Sequence, residues 1–136
     1  MIDKNYLRDL EYQITGACIE VHKILGPGLL ESVYHKCLCK ELSLRGISYL
    51  SEMVIAVDYK GSVIDTQLRV DLFIEQCIIL ELKAIETTLP IHDAQILTYM
   101  KILEAPKGLL INFNCVNLIN EGKKSFVNSF YRDLLD

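Results

Sequence analysis

No apolar run in this chain approaches the ~18 residues that a membrane-crossing helix needs, so no membrane association is expected. Its first segment, "MIDKNYLRDLEYQ", lacks the apolar centre of a secretory signal, which makes a cytoplasmic protein the expectation. Repeats, low-complexity tracts and linker-like runs are also missing. The 136 residues, 51% hydrophobic and 24% charged, therefore read as one globular domain over 1–136 rather than as a disordered chain. Five cysteines (Cys18, Cys37, Cys39, Cys77, Cys115) are odd in number and show no C-x-x-C spacing. They read as reduced thiols and not as a metal or cluster site. Basic charge is not in excess. With 14 Lys and Arg against 18 Asp and Glu, the formal charge is −4, which weighs against tight non-specific nucleic-acid binding and leaves room only for a local basic patch.

What is present is strong patterning. From Ile14, apolar residues recur at Ala17, Cys18, Val21, Ile24 and Leu25, one face of a helix that must stop at Gly26-Pro27-Gly28. A second helix runs from about Leu30, with Leu30, Val33, Tyr34, Cys37, Leu38 and Leu42 inward and Gly46 as its terminator. The period then changes to two. Met53, Ile55 and Val57 alternate, "YKGS" supplies a turn, and strands follow through "TQLRVDLFI" and "CIILELKA". Pro90 suits an early position of a helix over Pro90–Leu103. "LLINF" (Leu109–Phe113) reads as a central strand, "VNLI" as a short strand, and the tail as an amphipathic helix presenting Phe126, Val127 and Phe130. The order α-α-β-β-β-α-β predicts an α/β or α+β layer fold.

The segment "VDLFIEQCIILELKA" poses a problem, because Asp71, Glu81 and Lys83 interrupt its apolar run. A two-residue loop at Glu75-Gln76 would mix apolar and charged residues on both faces of the hairpin. A three-residue loop, Glu75 to Cys77, pairs Ile74 with Ile78, Leu72 with Leu80 and Val70 with Leu82, giving one wholly apolar face. The same register sets Asp71 opposite Glu81 and Arg69 opposite Lys83, with direct neighbours about 5 Å apart at Cβ. Adjacent carboxylates repel unless a proton or a cation lies between them. A structural ion-pair cluster with Lys83 would satisfy this. So would a hard divalent cation such as Mg²⁺, which accepts one or two carboxylates and completes its shell with water and phosphate.

Asp71 followed across a hairpin by Glu81-Leu82-Lys83 resembles the core motif of the PD-(D/E)XK nuclease superfamily. Gly28-Leu29-Leu30-Glu31-Ser32-Val33-Tyr34 matches the Gly-x-x-Glu-x-x-Tyr signature of a family of small bacterial proteins in that superfamily. Gln95-Ile96-Leu97-Thr98-Tyr99 is similar to the Q-x-x-x-Y element of RecB-type exonucleases, and "GLLINF" stands where the last core strand belongs. Val70 replaces the proline of the "PD" half-motif and leaves Asp71 intact.

The resemblance implies a restriction-endonuclease-like core, a mixed central sheet flanked by helices. It implies a nuclease dependent on Mg²⁺ or Mn²⁺ that hydrolyses nucleic-acid phosphodiesters, DNA first among them. Asp71 and Glu81 would hold the metal, helped by the Leu82 carbonyl and by Glu31, while Lys83 would position or activate water. Gln95 and Tyr99, at i and i+4 on one helix face, would reach Lys83, a phosphate or the metal-bound water, and Arg69 would meet substrate phosphate. Blander readings exist for several of these residues. Glu31 would serve as a helix N-terminal acid, Tyr99 as core, and Arg69 as a simple counter-charge. His22, His35 and His92 lie on separate helices without ligand spacing and read as ordinary surface or boundary residues, with only His92 near Gln95 in sequence. The competing functional reading is a non-catalytic nucleic-acid- or protein-binding module that keeps the nuclease core as scaffold. A homodimer would supply a grip on a duplex.

Overall fold

The computed structural model describes residues 1–136. Its first helix, α1 (Lys4–Leu25), begins well before Ile14, because Leu7 and Leu10 extend the same buried face as Ile14, Ala17, Cys18 and Val21. Asp3 caps it, its Oδ1 accepting the Tyr6 N–H at 2.8 Å. Ile24, expected inward, is exposed. The second helix, α2 (Glu31–Leu44), buries Tyr34, Leu38 and Leu42, and Leu30 is its exposed N-cap rather than an inward residue. Gly46, at φ 72°, follows the helix end in a conformation that costs glycine little.

The strands are β1 (Tyr49–Val54), β2 (Val57–Tyr59), β3 (Ser62–Ile64), β4 (Arg69–Ile74) and β5 (Ile78–Lys83). Helix α3 (Pro90–Leu103), with the bounds its pattern predicts, leads to β6 (Lys107–Asn112). The main sheet has five strands in the order β1-β4-β5-β6-β7, with β7 at Lys123–Val127, and β2 and β3 form a separate two-stranded hairpin around the Tyr59–Ser62 turn. Only β5 and β6 run parallel, and α3 is the crossover that a parallel pair requires.

The C-terminal part differs from the pattern reading. "VNLI" is not a strand, since Leu118–Gly122 form a π-helical turn. Phe126 and Val127 belong to β7, pairing with Gly108 and Lys107, and the last helix, α4, is confined to Ser129–Arg132. The open edge of β6 offers a row of unpaired backbone groups, and satisfying it outranks the helical spacing of three aromatic and aliphatic residues.

Helices α1 and α2 cover one sheet face, over a core that includes Leu72, Ile74, Ile78, Leu80, Leu82, Leu109 and Ile111. Helix α3 covers the other, where Ile79, Leu110, Ile96, Tyr99 and Met100 cluster. Val70 packs in this second cluster, not beside Leu72 and Ile74 as strict alternation requires. The pleat is disturbed beside it. Glu52 of β1 has φ 52°, and neither Glu52 nor Asp71 takes part in the β1–β4 ladder that resumes on either side. The result is an α/β fold with a mixed central sheet flanked by helices on both faces.

Candidate functional site

The β4–β5 hairpin closes through a three-residue loop. Glu75 and Gln76 adopt φ 51° and 56°, and the Cys77 N–H returns to the Ile74 carbonyl at 3.0 Å. Ile74 pairs with Ile78, Phe73 with Ile79 and Leu72 with Leu80, the register of the all-apolar option. There the backbone ladder ends. At the next position the two carboxylates replace it: the Asp71 N–H donates to Glu81 Oε2 at 2.7 Å, and the Leu82 N–H donates to Asp71 Oδ2 at 2.7 Å. Each acid is thus pinned against the partner strand's backbone.

The electrostatics of this exchange are unfavourable for two full charges. Glu81 is only 5% exposed. Burial first, and the Asp71 carboxylate second, push its pKa up to about 8, against the pull of the Asp71 N–H and of Lys83. Asp71 is also raised, chiefly by burial, although the Leu82 N–H, His35 and Lys83 oppose the shift. Glu31, exposed at the start of α2, is raised by desolvation on its inner side and then by Asp71. Lys83 is half-buried and acts on all three acids, but forms no ion pair within 4.0 Å of any of them.

Helix α3 approaches from the other side. Gln95 Nε2 donates to Tyr99 Oη at 3.0 Å, and the buried Tyr99 phenol is raised by desolvation and then by Glu81. Arg69 is not gathered in. It is exposed, lies opposite Val54 of β1 and makes no ion pair, because the β4–β5 ladder that would set it across from Lys83 has already ended.

Two anchors outside the charged group hold its frame. Tyr34 Oη donates to the Gly26 carbonyl at 2.5 Å and accepts the Leu29 N–H at 3.2 Å, while its ring stacks on Phe113 at 4.5 Å and 2°. This ties down the turn through Gly28, at φ 99°, and so sets where Glu31 begins α2. The Gly-x-x-Glu-x-x-Tyr spacing thereby has a mechanical meaning. Asn112, paired with Lys83 across the parallel ladder, grips the chain just beyond it: Oδ1 accepts the Ile85 N–H at 3.1 Å and Nδ2 donates to the Ile85 carbonyl at 2.9 Å.

Residues outside the motifs also converge here beside Glu31 and Asp71, among them His35, which spacing alone reads as an ordinary surface or boundary residue. Glu31, Ser32, His35, Lys36, Ser51, Glu52 and Asp71 line a cleft of about 360 Å³ between α2 and β1. His35 follows Glu31 by four residues, so helical periodicity alone places both on one face. Ser51, Glu52 and Asn112 carry no local signal, since only strand pairing brings them near.

Oxygen donors, mutual repulsion of two carboxylates and a nearby lysine suit a hard divalent cation. No group of three or more His, Cys, Asp or Glu side chains converges as a ready-made cage. Two carboxylates are enough protein donors for such a cation when water and phosphate complete its shell.

The family model of the PD-(D/E)XK nuclease superfamily matches residues 8–125. The chain belongs to this superfamily. No curated protein and no solved structure gives a significant match. The five-stranded mixed sheet with flanking helices is the restriction-endonuclease-like architecture of PD-(D/E)XK proteins. Nucleases of this superfamily generally use divalent metals and act on nucleic acid, so PD-(D/E)XK membership suggests a nuclease-like function here. No helix of the chain is long and apolar enough to cross a membrane.

Proposed function

We propose that the chain is a Mg²⁺- or Mn²⁺-dependent nuclease that hydrolyses phosphodiester bonds. The observation that carries this reading is the Asp71–Glu81 exchange: a buried and a half-buried acid, both raised in pKa, held side by side with Lys83 close at hand. A fold spends stability on such a pair when a cation or a reaction repays it. In this reading Asp71 and Glu81 hold the metal, with Glu31 and the Leu82 carbonyl as further donors. Bound there, the cation supplies Lewis-acid stabilisation of phosphoryl oxygens. Lys83 orients the attacking water and shields developing charge. Gln95, steadied by its bond to Tyr99, presents a polar group from α3, and Arg69 stands exposed to meet substrate phosphate further out.

The reading treats residues 1–136 as one nuclease domain of the Gly-x-x-Glu-x-x-Tyr kind with a RecB-type Q-x-x-x-Y helix. It extends to DNA as substrate, the cytoplasm as location and a homodimer as the gripping unit. The net charge of −4 favours one competitor, a non-catalytic module on the same scaffold. Incubation of labelled DNA with Mg²⁺ or Mn²⁺ separates them. Cleavage that disappears in folded Lys83→Ala and Asp71→Ala supports the nuclease. Cleavage retained in both variants, or none by the parent chain despite metal binding, sinks it.

A further inference from the structure

We propose that the cleft between α2 and β1 is a phosphate subsite, in which His35 and Lys36 hold a backbone phosphate of the nucleic-acid strand beside Asp71. The inference rests on the nuclease reading and adds to it the place where the substrate strand is gripped. The cleft, about 360 Å³, opens beside Asp71 and has the size of a small-ligand site. His35 and Lys36 are its only basic side chains. His35 is fixed in place, sharing a 2.7 Å hydrogen bond between its Nε2 and Ser51 Oγ, a link from α2 to β1. Lys36 is exposed and engaged in no ion pair, so its charge is uncommitted.

Charge balance explains why these two are needed. Glu31, Glu52 and Asp71 line the cleft, and Glu81 lies just behind Asp71. A divalent cation and Lys83 together offset three of these four negative charges. A phosphate entering next to them would meet net repulsion unless Lys36 supplied positive charge, and His35 a ring N–H donor, on the α2 side. Lys83 lies at the end of β5, so the carboxylates would be flanked by cations from two different elements. His35, Glu31 and Asp71 line the same cleft, so the imidazole stands on the α2 side of the acids.

The test uses the parent chain, His35→Ala and Lys36→Ala, each checked for folding by thermal melts. Binding of a short fluorescent single-stranded DNA is followed by anisotropy in Ca²⁺, and Mn²⁺ binding by calorimetry. Each variant is expected to bind DNA about fivefold to tenfold more weakly, with Lys36→Ala also lowering the salt slope by about one. Mn²⁺ affinity is expected to stay within about twofold of the parent. Unchanged DNA affinity in both variants overturns the subsite. So does a fall in Mn²⁺ affinity that accounts for the DNA loss, because His35 would then act through the carboxylates. A parent chain that binds no Mn²⁺ overturns the nuclease reading itself, an outcome distinct from loss of the subsite alone.

Discussion

The amide of Asp71 donates to the Glu81 carboxylate at 2.7 Å, and the Asp71 carboxylate in turn accepts the amide of Leu82, the residue after Glu81, at 2.7 Å. Backbone pairing between β4 and β5 stops at Leu72 and Leu80, and this side-chain exchange takes its place. The strands therefore stay connected while their ends gather negative charge. That arrangement is costly without a cation, and the cost is measurable.

The first expectation concerns pH. Glu81 is raised from 4.5 to about 8, and Asp71 is raised with it, chiefly by burial and then, for Glu81, by the neighbouring acid. Between about pH 4.5 and 8 the folded chain thus binds more protons than the unfolded one. Stability rises with pH only where the unfolded state binds more, so here it must fall as pH rises. Glu11 acts in the opposite sense. Its burial is outweighed by hydrogen bonds from Lys107, Lys123 and Ser125, which hold it below 4.5, so its contribution is complete above that value. Melts in EDTA should give a lower Tm at pH 8.5 than at pH 5.5, and Mn²⁺ should raise Tm more at pH 8.5. A Tm that climbs across this window contradicts the raised acids.

Replacing Glu81 by Gln keeps an oxygen that can accept the Asp71 N–H and removes the repulsion. Metal-free stability at pH 8.5 should increase on the order of 2 kcal/mol. Mn²⁺ affinity should fall at least about tenfold. Denaturant titration in EDTA and calorimetry with Mn²⁺ read the two effects separately. A destabilised Glu81→Gln chain would mean that the acid is retained for structure.

Tyr34→Phe tests the turn that starts α2. The Phe113 stack at 4.5 Å is kept, but the Gly26 carbonyl and the Leu29 N–H lose their shared hydroxyl. A cost of about 1–2 kcal/mol is expected, with faster hydrogen exchange at the Leu29 amide. Unaltered exchange there would show that the turn holds without Tyr34.

Asn112→Ala removes both hydrogen bonds to Ile85 and leaves a partly buried backbone pair without those partners. The expected loss is about 1–3 kcal/mol. Because Ile85 lies two residues past Lys83, the segment from Ala84 to Leu89 should lose exchange protection before the sheet does. If only global stability changes, Asn112 does not steer the Lys83 end of β5.

Much of this was legible in the residue order because it depends on local periodicity. Pro90–Leu103 is a helix by spacing and by its proline, and the hairpin register follows from demanding one apolar face. The motif residues Asp71, Glu81 and Lys83 stood out because charge in an apolar strand is conspicuous. The C-terminal reading failed for a non-local reason. Phe126 and Val127 fit a helical spacing, yet the free edge of β6 claims them as a strand. The α2–β1 cleft was hidden for the same kind of reason, since His35 is separated in the chain from Ser51 and Glu52 and meets them only through packing.

The sequence by itself determined that a second helix starts at about Leu30, that β4 and β5 form a three-residue-loop hairpin, and that Asp71 lies across from the Glu81 segment. These are consequences of steric and hydrophobic rules acting over a few residues. Only the tertiary structure decided that the ladder breaks at Asp71, that Val70 turns to the α3 side, that Arg69 stays outside, and that Asn112 and His35 stand around the acids. Those outcomes depend on which strand lies beside which. A disturbed pleat at Glu52, a parallel neighbour in β6 and the His35–Ser51 link from α2 to β1 each place a side chain that its own sequence neighbours leave undetermined.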